Sequence, residues 1–162
     1  MRYILDACTL IYLVKSNLTS EFTTICDSDI IIDKEVYTEV VEKGKANNYP
    51  DAFIAENYLI DNKIPIIPTD IKKFIKIFRD PGETSCFILA KDNGICITSD
   101  KRAFNKFEAQ SVAVIRIDTY FYKNCIKKQY SKNTIIKFLN QLLRVYATTP
   151  ERYATFIKLL SQ

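Results

Sequence analysis

The sequence predicts an α/β protein, a three-layer α/β/α sandwich in which a five-stranded parallel sheet lies between helices. Two observations carry this prediction. Short runs rich in Ile and Val alternate with stretches of helical periodicity over residues 2–117. The run at 29–33 is apolar throughout its interior, as expected for a strand covered on both faces of a parallel sheet. Beyond Asp118 the periodicity is helical alone, which predicts a helical C-terminal tail.

Length and composition narrow the classes of function. The 162 residues suit a single domain over 1–162, in which 119–162 form a helical extension packed on the rest. The net charge of +4 permits an anionic partner without requiring one. Histidine is absent, which excludes His-dependent triads and His-ligated zinc. Carboxylates are therefore the groups expected to carry any general chemistry.

Cysteine usage and hydropathy indicate the cellular compartment in which the protein is expected. The five cysteines are scattered, form no C-x-x-C pair and lie in apolar contexts, as reduced core residues do. No stretch approaches the length of a membrane span, and the N terminus enters a strand rather than a signal peptide. We expect a cytoplasmic protein without a membrane association.

The first half of the chain is predicted to contain a strand over 2–5, a helix over 7–15, a strand over 29–33, helices over 34–43 and 50–62, and a strand over 64–67. Asp6 and Asp33 suit the caps of the helices that follow them, and Gly44 suits the end of the helix over 34–43. Pro65 has no N–H to donate to a neighbouring strand, which favours an edge position. The helix over 50–62 is predicted to bury Phe53, Ile54, Tyr58 and Leu59.

The second half is predicted to contain helices over 69–78 and 81–90, a strand over 95–98, a helix over 102–108, a strand over 113–117, and helices over 119–127, from Ser131 and from Thr149. Asp80 is the predicted cap of the helix over 81–90, where Glu83 completes a capping box. Gly94 is predicted to end that helix in the left-handed conformation. The helix from Ser131 is predicted to bury Ile135, Leu139, Leu142, Leu143 and Tyr146.

Acidic residues follow two of the predicted strands directly. Asp6 and Asp100 each stand at the carboxyl end of a strand, and Glu83 opens the helix that leads into the strand before Asp100. If these two strands are neighbours, the carboxylates converge at one edge of the sheet. Each of these acids could instead serve only as a helix cap. The stripe of Glu35, Glu39 and Glu42 could instead be the solvated face of a helix. Clustered acids repel one another unless they bind a cation, and hard divalent ions prefer oxygen ligands.

The order of the motifs resembles that of the PIN-domain nucleases. Asp6 stands with Thr9, Glu39 lies within EVYTEVV, Glu83 within GETSCFILA and Asp100 within TSDKRAF. The resemblance extends from residue 2 to 160 and is closest to the prokaryotic subgroup with a G-E-x-x motif and a two-helix tail. It implies a five-stranded parallel sheet and cleavage of RNA phosphodiesters that depends on Mg²⁺ or Mn²⁺. By the same resemblance, Asp6, Glu39, Glu83 and Asp100 are the catalytic, metal-binding acids.

The resemblance also implies partners and substrate contacts. RNA is the expected substrate, with Thr9 as an assisting hydroxyl and Ser99, Lys101 and Arg102 as further candidates for binding it. Lys101 and Arg102 stand where many relatives carry another acid. A homodimer and an antitoxin protein are the expected protein partners, while a role in RNA processing stays open beside that of a toxin.

Three other readings compete with the nuclease. A haloacid dehalogenase phosphatase has a D-x-D motif after its first strand, but Cys8 occupies the place of the second acid. A phospho-accepting receiver domain needs paired acids at the end of the first strand and a Lys after the last one, and this chain has neither. A catalytically weak PIN fold that binds RNA or serves assembly is the alternative that the sequence leaves open.

Overall fold

The computed structural model describes residues 2–162 and contains a five-stranded sheet in which every pair of neighbouring strands is parallel. The strands are β1 Arg2–Leu5, β2 Asp29–Asp33, β3 Ile66–Ile67, β4 Gly94–Thr98 and β5 Val114–Arg116, in the order β3-β2-β1-β4-β5. The chain runs outward from β1 on one side and then returns to place β4 on the other. The crevice at the carboxyl ends of β1 and β4 is therefore the switch point where α/β sheets bind ligands.

The helices are α1 Ala7–Lys15, α2 Thr19–Ile25, α3 Lys34–Tyr37, α4 Lys43–Ala46, α5 Pro50–Asp61, α6 Ile75–Phe78, α7 Pro81–Lys91, α8 Lys101–Ala109, α9 Ile117–Lys127, α10 Lys132–Arg144 and α11 Pro150–Ser161. A π-helical turn, Thr38–Glu42, joins α3 to α4 without a break. Among residues 2–162, no helix is long and apolar enough to cross a bilayer.

Helices cover both faces of the sheet, because side chains alternate along each strand. On one face, Tyr3 of β1 meets Tyr120 of α9 edge to face, with ring centroids 5.1 Å apart. On the other, Ile4 packs beside Gly94 where α7 crosses the sheet, and a Cβ at Gly94 would collide with the Ile4 side chain. The three-layer fold class predicted from the sequence is confirmed.

The C-terminal helices pack on the sheet-containing part through aromatic side chains. Phe22 of α2 stacks on Tyr120 with centroids 4.6 Å apart, and Phe121 meets Phe138 of α10 at 5.8 Å. Buried residues from β1 to α11 form one hydrophobic cluster. Deleting a buried aromatic side chain from such a cluster typically costs about 3–5 kcal/mol.

Both predicted glycine stops were wrong, for the same physical reason. No glycine takes a positive φ; Asn93, with φ 62°, is the left-handed residue after α7, and Gly94 opens β4. Gly44 lies inside α4, where an added Cβ would stand 2.7 Å from the Cβ of Ala52 on α5. These glycines permit close approach between elements rather than a turn.

Other predicted elements need correction. The amphipathic stretch over 69–78 is helical only in α6, because Asp70 accepts the Lys72 N–H and diverts the first turn. Phe53 and Ile54 are about half exposed rather than buried, at 47% and 51%. Tyr146 lies beyond α10 with φ 62° and is 86% exposed. Helix α2 was not predicted.

Candidate functional site

A small cavity of about 150 Å³ opens at the carboxyl edge of the sheet, beside the ends of β1 and β4. Register places Leu5 opposite Ile97, and the Asp6 N–H reaches the Ile97 carbonyl at 3.4 Å, so both strands end at the same level. The acids that line the cavity are Asp6, Glu39, Asp80, Glu83 and Asp100. We call this the acid cavity. It brings together the four acids singled out in the sequence and adds a fifth, Asp80.

Asp6 occupies the innermost wall of the acid cavity as the N-cap of α1. Its Oδ1 accepts the Thr9 N–H at 2.8 Å, and the Cys8 thiol lies 3.1 Å from both carboxylate oxygens. Burial raises the pKa of Asp6, and hydrogen bonds from Thr98, Thr9 and Cys8 offset that effect only in part. Asp6 takes part in no ion pair among residues 2–162.

Glu39 reaches the cavity from the π-helical turn. A π turn holds one more residue than an α turn and is frequently found at functional sites. Burial raises the pKa of Glu39, the negative charges of Asp80 and Asp6 raise it further, and Lys43 offsets part of the rise. A Cβ on Gly82 would stand 3.3 Å from Glu39 Oε2 and 3.4 Å from Asp80 Oδ1. The absent side chain at Gly82 thus leaves open the space between these two carboxylates.

The remaining acids are already engaged. Glu83 pairs with Lys106 of α8 at 2.6 Å. Asp80 Oδ1 accepts the Glu83 N–H at 2.7 Å, so the predicted cap is present, while the Glu83 carboxylate bonds Lys106 rather than closing a capping box. Asp100 Oδ1 accepts two N–H groups at the start of α8 at 2.7 and 2.8 Å. Asp100 can therefore cap α8 and line the cavity at the same time, because only Oδ1 takes part in the cap.

Because these acids already have partners, their side chains are not arranged around a common ion. Among residues 2–162, no three His, Cys, Asp or Glu side chains are positioned to hold a metal ion as they stand. The donor set nevertheless fits a hard divalent cation, since it consists of carboxylate oxygens around a space kept open by Gly82.

The structure does not bring the predicted substrate-binding residues to the acid cavity. Thr9 is fully buried, and its hydroxyl donates to the Ile97 carbonyl at 2.8 Å, which ties α1 to β4. Its role as an assisting hydroxyl stays a prediction. The Ser99 hydroxyl is also buried, without a hydrogen-bond partner, and does not line the cavity. Lys101 and Arg102 are exposed beside Asp100 at the start of α8.

Sequence reasoning missed two members of the site. The sequence predicts Asp80 only as a cap, although a cap on a helix that starts at this edge of the sheet also faces the switch point. Lys106 carries no local signal, because its partner Glu83 lies 23 residues away on another helix.

A parallel sheet with carboxylates from separate segments at its switch point defines an α/β protein with an acid-lined site. The family model described as DUF3368: PIN domain matches residues 2–117, and the chain belongs to the PIN-domain family. PIN domains are in general nucleases. The match ends where α9 begins, so the helices α9, α10 and α11 lie beyond it.

Two solved structures are similar to part of this chain, and the first of them supports the fold. A domain of a functionally unknown protein from Methanocaldococcus jannaschii is similar with a TM-score of 0.51 and 17% identity, over 72% of this chain and 90% of that one. VapBC-1 from nontypeable Haemophilus influenzae is similar with a TM-score of 0.48 and 16% identity, over 72% of this chain and 98% of that one. No curated protein matches the sequence.

Proposed function

We propose that the protein is a ribonuclease that depends on a divalent metal, with Mg²⁺ or Mn²⁺ held by Asp6, Glu39, Glu83 and Asp100. The observation that carries the proposal is the acid cavity itself. Its carboxylates meet at the switch point, and burial raises the pKa of Asp6 and Glu39 without a cationic partner that fully compensates. Such crowding is unfavourable in a folded protein unless a cation binds there.

A bound divalent ion would supply a water of lowered pKa and a positive charge beside the phosphate. The chain's own residues prepare that site. Cys8 and the N terminus of α1 fix the orientation of Asp6, and the π-helical turn delivers Glu39. Lys106 neutralises Glu83 in the ion-free protein and must release it, at least in part, when an ion binds.

RNA is the proposed substrate because the family resemblance implies it and the surface charge permits it. Lys101 and Arg102 stand exposed at the start of α8, next to Asp100, where they can contact the backbone of a polyanion. Binding should therefore weaken as salt is added. A homodimer, and an antitoxin partner if the protein is a toxin, are part of the same proposal.

The test is cleavage of a single-stranded RNA with Mn²⁺ or Mg²⁺ and with a chelator. Loss of a residue that only supports a metal ligand typically lowers activity about 10–100-fold. Asp6→Asn and Asp100→Asn each alter a proposed ligand, so they should lower the cleavage rate by more than that. Asp29→Asn, an exposed acid at the opposite edge of the sheet, is the matched control and should cleave like the parent. A parent protein that binds RNA but leaves it intact with either ion would favour the non-catalytic alternative.

The biological role can be tested with the same variants. Expression of a toxin should arrest growth in bacteria, and Asp6→Asn should relieve the arrest. If parent and variant affect growth equally, the toxin role is wrong and a processing role is favoured.

A further inference from the structure

A second, larger cavity shares a wall with the acid cavity. Its volume of about 390 Å³ lies within the range of about 300–1,000 Å³ that is typical of small-molecule pockets. The walls are formed largely by apolar side chains, among them Ile11, Val40 and Ala52. Lys15, Lys43 and Tyr49 also line it. We call this the side cavity.

Glu39 belongs to both cavities. The π-helical turn presents Glu39 between the two, while the next residues of the same segment, Val40, Lys43 and Gly44, line only the side cavity. A ligand whose charged group enters the acid cavity therefore has its neighbouring atoms at the side cavity.

The side cavity carries an exposed aromatic side chain on a restricted stretch of backbone. Tyr49 is 61% exposed, although it precedes the core-packed helix α5. Its backbone is restricted because Pro50 follows it, and its N–H donates to the Gly44 carbonyl at 2.9 Å. The close contact between Gly44 and Ala52 locks α4 against α5 below it. An exposed aromatic ring on a rigid support suits stacking against a flat ligand.

The side cavity has two basic side chains, Lys15 and Lys43, and two acidic ones, Glu39 and Asp51. Lys43 is exposed and forms no ion pair among residues 2–162, and Lys15 has only a loose partner in Asp51, at 4.0 Å. An exposed aromatic ring beside Lys43 suits a flat ring that is attached to an anionic group, which is the chemistry of a nucleotide.

We propose that the side cavity is a nucleobase subsite that takes one unpaired base of the RNA strand, next to the phosphate held at the acid cavity. Tyr49 stacks on the base, and Lys43 faces a flanking phosphate. The inference rests on the proposed function for its substrate class and adds where one base is held. It requires an unstacked base, so single strands bind and duplexes of the same sequence do not use the subsite.

The test compares two phosphodiesters that differ in having bases. One is a single-stranded RNA oligonucleotide, and the other is an oligonucleotide of the same length that has an abasic ribose at every position and therefore no ring that can stack. Stacking is worth about 5- to 150-fold per base, so Tyr49→Ala should lower the ratio of the two kcat/KM values by about that factor. Tyr49→Phe should restore the ratio. Tyr146→Ala removes a tyrosine that is 86% exposed and lies beyond α10, and it should behave like the parent.

A binding measurement separates failure of the subsite from failure of the proposed function. With a chelator present, a fluorescent 2′-O-methyl oligonucleotide should bind Tyr49→Ala more weakly than the parent by a similar factor, while a duplex binds both equally. If the parent cleaves neither phosphodiester, the proposed function fails and the binding arm alone decides the subsite. Equal single-strand binding by parent and Tyr49→Ala would overturn the subsite and leave the side cavity for a protein side chain.

Discussion

Two groups of acids lie along the same edge of the sheet, and the protein surrounds them in opposite ways. Asp118 follows β5 and is fully buried, yet Arg152 of α11 donates to its two oxygens at 2.6 Å each, and Thr148 donates at 2.5 Å. Burial alone would raise the pKa of Asp118, but these hydrogen bonds and the charges of Arg152 and Arg116 outweigh it, so the pKa is lowered. In the acid cavity, burial prevails and the pKa values of Asp6 and Glu39 are raised.

The difference teaches how a structural carboxylate can be told from a functional one. Asp6, Asp100 and Asp118 all stand just after apolar strands, so the local sequence pattern is the same. What separates them is whether the chain supplies a counter-charge from elsewhere. Asp118 has its cation built in through Arg152, whereas Asp6 forms no ion pair among residues 2–162.

Removing Asp118 is the change with the largest expected effect. Loss of one partner of a buried ion pair typically costs about 3–5 kcal/mol, and Asp118→Ala should fall at the lower end because the Arg152 side chain is 36% exposed. Chemical denaturation measures the free energy of unfolding. Asp27→Ala is the control, since it breaks the more exposed pair with Lys127 and should cost less than about 1 kcal/mol. Equal losses in the two variants would break the comparison.

The pH dependence of stability should differ in sign between the two groups. The folded-state pKa of Asp118 is lowered, so its contribution is present above its unfolded pKa, about 3.9, and is lost as the pH falls through the folded pKa. The pKa of Asp6 is raised, so its contribution is present below about 3.9 and is lost as the pH rises through the folded value. In the presence of a chelator, Asp6→Asn should therefore reduce the fall in the free energy of unfolding as the pH rises above 4. Asp118→Asn should reduce the fall in that free energy as the pH drops below 4.

Denaturant titrations from acid to neutral pH check this prediction. Asp29→Asn should reproduce the parent curve. If the free energy of unfolding falls as steeply above pH 4 in Asp6→Asn as in the parent, Asp6 is not the cause of that fall.

The smallest effect concerns Glu83, the member of the acid cavity that has a cation. Lys106→Met should change stability by less than about 1 kcal/mol, because the pair is partly exposed. It frees Glu83 and should tighten Mn²⁺ binding in calorimetry. Lys45→Met breaks the pair with Glu56, which has nearly the same exposure and lies outside the acid cavity, and should leave ion binding unchanged. Weaker binding in Lys106→Met would show that Lys106 supports the site.

The sequence predicted the sheet, its parallel strands and the convergence of the acids, because these follow from strand periodicity and from where strands end. It did not predict the pairs Glu83–Lys106 and Asp118–Arg152, whose partners lie 23 and 34 residues apart and meet only in the folded chain. The sequence also did not predict that Thr9 is buried, because a hydroxyl in the first turn of a helix can face either the site or the sheet. The roles of the acids as metal ligands stay predictions.

Thermal unfolding with and without Mn²⁺ tests most directly the claim that the acid cavity is a cation site. An ion that binds only the folded state stabilises it by about 2.7 kcal/mol at 100 times its Kd, so Mn²⁺ should raise the Tm of the parent above its value in chelator. Asp100→Asn should have an unchanged or higher Tm in chelator and should lose most of the rise with Mn²⁺, while Asp29→Asn keeps it. A parent Tm that is the same in chelator and in saturating Mn²⁺ would contradict the account.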